Sequence, residues 1–288
     1  MSIKNILVPL DGTDRSKHVM SMGLSFGRDL GAHVDVLHVR SDPKETIPLL
    51  GEGMSVSMIE DMIGIAEKEG GQRAVHGRGI FDQLTRELSL PISDNLLLTG
   101  PSASWSEETG REDEIVARRG RLADLIVVSR PTQGSEGAAT LTLNSALFDT
   151  GRPVLVAPPQ ETSGIGRHIA ISWNGSAESA RAVSSAIPLI TAADKVTVLT
   201  VASDVTSAAR GPELATYLEW HGVSPLTQTF EASGQQIIGA ALLGECKDAG
   251  ADLLVMGAYT HSRMRQMILG GVTRHVLGEA TIPLFMAH

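Results

Sequence analysis

Short, almost unbroken apolar runs recur along the chain, separated by longer stretches in which apolar positions return every three or four residues. The runs at 4–10, 34–39, 123–128 and 153–157 are rich in Val, Ile and Leu, as strands buried on both faces are. Between them, residues 13–31 open on Thr13 and Asp14 and stop at Gly31, the punctuation of a helix. Residues 54–90 predict a long helix, either continuous or broken at its glycines, 96–99 a third strand, and 112–121 a charged helix with one face in solvent.

The second half repeats the first. Residues 167–176 match 4–13 at an offset of 163 (167 − 4), and 196–201 match 34–39 at 162 (196 − 34). Residues 251–256 match 123–128 at 128 (251 − 123), and 283–287 match 153–157 at 130 (283 − 153). The order is conserved, and the drop of 34 (162 − 128) means that the first copy carries that many extra residues after its second strand. In the second copy, helices are predicted over 176–190, 212–221, 235–249 and 272–279, with a strand over 227–231. Alternation of strand and helix predicts an α/β protein of two tandem doubly wound domains. Each is an open parallel sheet of about five strands with helices on both faces. The first domain is expected at 1–158, a Pro- and Gly-bearing linker at 159–166, and the second domain at 167–288.

Composition narrows the function classes. Hydrophobic residues make up 42% and charged residues 20% of 288, the balance of a globular protein with room for two cores. A net charge of −9 excludes nucleic acid as a bulk partner but leaves room for a small anion at a local site. The lone Cys246 excludes a disulfide framework. No stretch is long and apolar enough to span a membrane, and the first residues run into a strand without a leader pattern, so the chain is expected to be cytoplasmic.

Ligands of open parallel sheets bind beyond the C-terminal ends of the strands. After the fourth strand of the second copy the chain runs from Gly257 through Thr260, His261, Ser262 and Arg263 to Gly270 and Gly271, then into a helix beginning at Val272 and Thr273. A glycine pair at a helix start lets backbone N–H groups and the helix dipole meet an anion. The competing reading is a tight turn with solvated arginines. The first copy has no glycine pair there and carries Pro131 and Glu136 instead. His33 and His38 lack further metal ligands nearby in sequence, and Trp105 and Trp173 read as packing aromatics beside strands.

The segment from Gly257 to Gly271 resembles the nucleotide signature of universal stress proteins, Gly, two residues, Gly, nine residues, then Gly followed by Ser or Thr. Thr260 stands at the second glycine and Gly271 at the Ser or Thr. Asp11, in the run from Val8 to Thr13, resembles the family's ribose- and adenine-facing aspartate, and Asn174 replaces it in the second copy. The resemblance implies an adenine nucleotide alpha hydrolase-like fold and a non-catalytic regulatory module in stress response. It would bind ATP or another adenine nucleotide, with or without Mg, mainly in the second domain, leaving Asp11 as a weaker first site. It also implies pairing of the last strands, here 153–157 with 283–287 inside one chain, a homodimer of such chains, and an unidentified protein partner. Two alternatives stand beside it: a scaffold whose sites have decayed, and a slow ATP hydrolase, for which no acidic residue or P-loop lysine lies in the loop.

Overall fold

The structure, a computed structural model, describes residues 2–14, 16–42, 55–94, 100–131, 136–162, 164–202, 205–232, 234–258 and 271–288. The chain divides into two compact units, Lys4–Thr150 and Gly151–His288 with Met1–Ile3.

In the first unit the elements run β1 (Asn5–Leu10), α1 (Ser16–Leu30), β2 (His33–Arg40), α2 (Val56–Glu87), β3 (Ser102–Thr109), α3 (Glu112–Gly120), β4 (Leu125–Ser129) and α4 (Glu136–Asp149). The strand order is β3-β2-β1-β4, and every pairing is parallel. Helix α1 packs with α2, and α3 packs with α4. Right-handed crossovers running opposite ways from β1 put these pairs on opposite faces of the sheet. The interior is aliphatic: Ile6, Val8, Val34, Val36, Leu125 and Val127 are fully buried, as continuous strand runs require.

The second unit contains β5 (Val154–Ala157), β6 (His168–Ser172), α5 (Ala177–Ile190), β7 (Lys195–Ala202), α6 (Val205–Glu219), β8 (Leu226–Glu231), α7 (Gln235–Ala249), β9 (Leu253–Gly257), α8 (Gly271–Glu279) and β10 (Leu284–Ala287). Its strand order is β5-β10-β9-β6-β7-β8. Four of the pairings are parallel. The fifth is antiparallel and joins β5 to β10, with Leu284 opposite Val156 and Met286 opposite Val154. The two last-strand segments therefore zip together, and the strand that ends the first repeat is a sheet member of the second unit. The described strands divide four and six between the units, where five and five were expected.

The repeated Ala-Asp at the head of the fourth strand has a structural reason. Asp124 accepts the backbone N–H groups of Lys4 (2.8 Å) and Asn5 (3.0 Å). Asp252 likewise accepts those of Gly166 (2.8 Å), Arg167 (3.1 Å) and His168 (3.2 Å). One carboxylate thus satisfies the otherwise unpaired N–H groups that open β1 or β6, and sets the neighbouring strand in register.

Two elements refine the sequence reading. Helix α2 is an unbroken run of 32 residues, capped by the Ser55 hydroxyl on the Met58 N–H (3.3 Å). Strand β3 lies at Ser102–Thr109, downstream of the 96–99 segment, which is outside the described residues. It is an edge strand, so its sequence is polar and serine-rich and lacks the apolar signature of a central strand.

Candidate functional site

In the second unit the chain leaves β6 toward β7 on one side and returns through β9 to β10 on the other. The paired neighbours β6 and β9 are therefore the topological switch point, where an open parallel sheet forms its ligand crevice. The lip on the β6 side is the turn from Trp173 to Ser176. Asn174 Oδ1 accepts the Ser176 N–H (3.0 Å), Gly175 takes a φ of +73°, and Ser176 then caps α5 by accepting the Ser179 N–H (3.1 Å). An asparagine serves this turn because its short side chain can bond the backbone two residues on. The Asn174 carbonyl also receives Arg210 Nη1 from α6 (3.3 Å), and Arg210 Cδ lies 3.3 Å from where a side chain on Gly175 would begin.

The lip on the β9 side is Gly257. A Cβ there would meet the Ser179 nitrogen at 2.5 Å and the Glu178 carbonyl carbon at 2.8 Å. Gly257 is thus the point at which β9 passes against the first turn of α5, a packing demand that exists without any ligand. Helix α8 opens at Gly271, with no acidic residue in its first turn. Gly271 and Val272 are half-buried and Thr273 is buried. Connectivity places this N-terminus at the same edge of the sheet as Asn174 and Gly257. Thr260, His261, Ser262, Arg263 and Gly270 lie outside the described residues.

The corresponding crevice of the first unit, between β1 and β4, is built differently. Asp11 Oδ1 accepts the Thr13 N–H (3.0 Å), the Thr13 hydroxyl (2.8 Å) and the Ser16 hydroxyl (2.6 Å). Burial pushes its pKa up, but the Ser16 and Thr13 donors outweigh that and hold it below the usual carboxylate range. Glu112, opening α3, shows the opposite balance. Burial raises its pKa, the Thr142 hydroxyl at 2.9 Å lowers it, and the nearby charges of Asp11 and Asp113 raise it further. Two carboxyl groups thus feel each other in this crevice.

Helix α2 also closes down on it. A Cβ on Gly12 would meet the Arg73 carbonyl oxygen at 2.6 Å, and one on Gly77 would lie 3.3 Å from Gly12 Cα. His76 Nε2 donates to Asp14 at 2.7 Å. Behind this contact His38 stacks on Trp105 (5.9 Å between centroids, 21° between planes), and Trp105 leans on Phe81 (5.8 Å). His38 Nδ1 donates to the Leu10 carbonyl (3.2 Å), and burial holds its pKa below the usual imidazole range. Its Nε2 has no partner. His33 is occupied by the Ser102 and Ser104 hydroxyls at 2.9 and 3.0 Å.

Sequence reasoning missed three of these features. Glu112 sat inside a charged run that reads as a solvated face, and no pattern marked it as half-buried. Arg210 carried no signal. In the second unit the counterparts of Leu10 and His38 are Trp173 (10 + 163) and Thr200 (38 + 162). Trp173 Nε1 and Thr200 Oγ1 are buried without hydrogen-bond partners among the described residues, as His38 Nε2 is in the first unit. No cluster of three or more His, Cys, Asp or Glu that could hold a metal exists among the described residues. No helix among them is long and apolar enough to cross a membrane.

Comparison with known proteins agrees with the architecture. A universal stress protein from Archaeoglobus fulgidus superposes with a TM-score of 0.68 at 16% identity, over 98% of this chain and 95% of that one. A Pseudomonas aeruginosa protein assigned to the same class gives 0.57 at 15% identity, over 99% and 93%. The cytoplasmic domain of a prokaryotic cation chloride cotransporter gives 0.52 at 13% identity, over 99% and 96%. At these identities the likeness is one of fold, which several functions share. No curated protein matches the sequence. The model of the universal stress protein family matches residues 2–87 and 233–288, stretches that contain Asp11 at the end of β1 and the Gly257-to-Gly271 segment after β9. With the fold repeated twice along its length and those motifs at matching strand ends, the chain belongs to the universal stress protein family.

Proposed function

We propose that this chain is a non-catalytic adenine-nucleotide-binding module that acts in a stress response, taking ATP or a related nucleotide in the crevice between β6 and β9. One contrast carries the reading. The second-unit crevice offers neutral Asn174, the Arg210 guanidinium and a helix start free of carboxylates at Gly271, and its one nearby carboxylate among the described residues, Glu178, is paired with Arg181 at 3.5 Å. The first-unit crevice offers Asp11 and Glu112. A polyphosphate is attracted to the former and repelled by the latter. On this reading the Gly271 N–H and the first turn of α8 face phosphate, Asn174 faces the ribose, and Thr260, His261, Ser262, Arg263 and Gly270 complete the loop. Nucleotide binding changes the shape of the protein, and a protein partner reads the change.

The test is calorimetric titration of ATP, ADP and AMP, with and without Mg, into the wild type and Gly271→Glu. Glutamate in the first turn of a helix favours folding through propensity and the dipole, so lost binding would not reflect a lost fold. Binding to the wild type that falls at least about tenfold in Gly271→Glu supports the proposal. Equal binding to both proteins refutes this site, and none to either at millimolar nucleotide refutes the proposal and leaves the scaffold reading.

A further inference from the structure

A cavity of about 430 Å³ opens where the antiparallel β5–β10 seam meets α5, one strand away from the nucleotide crevice. That volume is in the range of small-ligand sites. Its lining includes Arg152 just before β5, Arg181, Ser184 and Ser185 on successive turns of α5, and His288 after β10. Among the described residues no Asp or Glu side chain lines it, on a chain whose net charge is −9. The Glu178 carboxylate lies outside the lining, 3.5 Å from Arg181 Nη1. His288 Nδ1 donates to the Ala258 carbonyl (3.0 Å), which fixes the ring at the mouth of the cavity.

The repeat isolates what the second copy has changed here. At an offset of 163, Arg181, Ser184 and Ser185 correspond to His18 (181 − 163), Ser21 (184 − 163) and Met22 (185 − 163) on α1. The serine at 184 is common to both copies, and the other two positions differ. Met22 is buried, whereas Ser185 is half-buried and Arg181 is exposed. Serine in place of a buried methionine forfeits apolar burial and gains no helix propensity, so stability alone does not favour the exchange. The exchange does leave room beside α5 and puts a second hydroxyl next to the one at 184. A guanidinium with neighbouring hydroxyls matches the oxygens of a phosphate or carboxylate group.

We propose that this cavity is a second ligand site, specific for a small oxyanion-bearing molecule, with Arg181 and Arg152 supplying charge and Ser184 and Ser185 supplying hydroxyl donors. It is separate from the nucleotide crevice and does not depend on it. The experiment titrates pyrophosphate and citrate at low ionic strength into the wild type, Arg181→Gln, Arg152→Gln, Ser185→Met and Gly271→Glu. Ser185→Met installs the residue that the first copy carries, a better helix former than serine, so its effect reads the loss of space and hydroxyl with the helix kept. NMR shifts or calorimetry report binding. Low salt matters because Arg181 is 55% exposed, and a screened contact is weak.

Binding to the wild type that weakens about tenfold or more in Arg181→Gln and in Ser185→Met, and survives in Gly271→Glu, supports the site. Preference for pyrophosphate over citrate identifies a phosphate ligand, and the reverse identifies a polycarboxylate. The proposal is overturned if neither anion binds at millimolar concentration, if the arginine variants or Ser185→Met bind as the wild type does, or if Gly271→Glu abolishes binding. The last result would place the anion in the nucleotide crevice, and so would leave that proposal standing while this one fell.

Discussion

Gly257 holds the first position of the nucleotide signature, yet the structure gives it a packing role that can be tested alone. In Gly257→Ala the new methyl would begin 2.5 Å from the Ser179 nitrogen and 2.8 Å from the Glu178 carbonyl carbon. Both are backbone atoms of the first turn of α5, so no side-chain rotation relieves the clash. The turn must move by about an ångström, and overpacking of this kind costs about 1–3 kcal/mol. The movement also strains the cap in which Ser176 Oγ accepts the Ser179 N–H at 3.1 Å, a contact worth about 1 kcal/mol. The expected loss is therefore about 2–4 kcal/mol in the second unit. With a urea dependence of about 1–3 kcal/mol per molar, the midpoint of that unit should fall by roughly 1–2 M. Gly278→Ala is the control. It lies in α8, where a Cβ meets nothing within 4 Å, and should raise stability by about 0.5–1 kcal/mol. If Gly257→Ala unfolds within about 0.5 kcal/mol of wild type, the close approach of β9 to α5 has no energetic consequence and the argument is wrong.

The remaining predictions concern both units. Gly12→Ala forces a residue at φ +74° into a space 2.6 Å from the Arg73 carbonyl oxygen and 2.9 Å from His38 Cε1. Left-handed strain of about 1–2 kcal/mol and overpacking of about 1–3 should together cost the first unit about 2–5 kcal/mol in a urea titration; an unchanged midpoint would count against the seating of α2 over this turn. Glu112 has a raised folded pKa, so the stability tied to its protonated form is present below the unfolded pKa and is lost as pH rises through the folded one. Glu112→Gln should therefore stabilise the chain at neutral pH, with the gain vanishing near about pH 3, and a gain that is constant or larger in acid would contradict this. Burial pushes the Cys246 thiol up to about 12. At about pH 8 a thiol reagent should label it only as urea unfolds the second unit, and stoichiometric labelling of folded protein would be the contrary result.

The central strands were legible because each is buried on both faces, so β1, β2, β4, β6, β7 and β9 read as apolar runs whatever precedes them. The edge strand β3 was not. Among the described residues its outer ladder is met by the stretch beside Ile92, which bridges Ala103, and a strand so placed needs no apolar alternation. The glycines of α2 were ambiguous for a related reason. Gly77 reads as a helix breaker, but a Cβ there would lie 3.0 Å from Trp105 and 3.3 Å from Gly12. The missing side chain lets the helix approach the turn, and the helix continues through it. Helix α6 begins at Val205, well before the Pro212 at which the sequence placed its start. Proline marks a helix start well only when no turns are already packed before it. For the site, the strand ends were predictable from topology, but Glu112 takes its hydrogen bond from Thr142, 30 residues away, and no local pattern encodes it.

The two copies also show which part of the site is free to vary. Thr13 N–H bonds Asp11 Oδ1 at 3.0 Å, and Ser176 N–H bonds Asn174 Oδ1 at 3.0 Å, the same turn closed by the same atom. The strand-to-helix turn therefore requires a side-chain oxygen at this position and is indifferent to its charge. In the first unit a second carboxyl group, Glu112, stands near Asp11, and the nearest part of α2 presents the Arg73 carbonyl oxygen to Gly12. In the second unit the uncharged Asn174 receives a guanidinium from Arg210. Arg73 also brings its charge close to the first crevice, where it acts on His38, so an arginine stands near the turn in each unit. The carboxylates do not divide by unit: Glu178, in the first turn of α5 against Gly257, stands at the second crevice as Glu112 stands at the first. What differs is the residue closing the turn, charged in one copy and neutral in the other, and the turn geometry is the same in both.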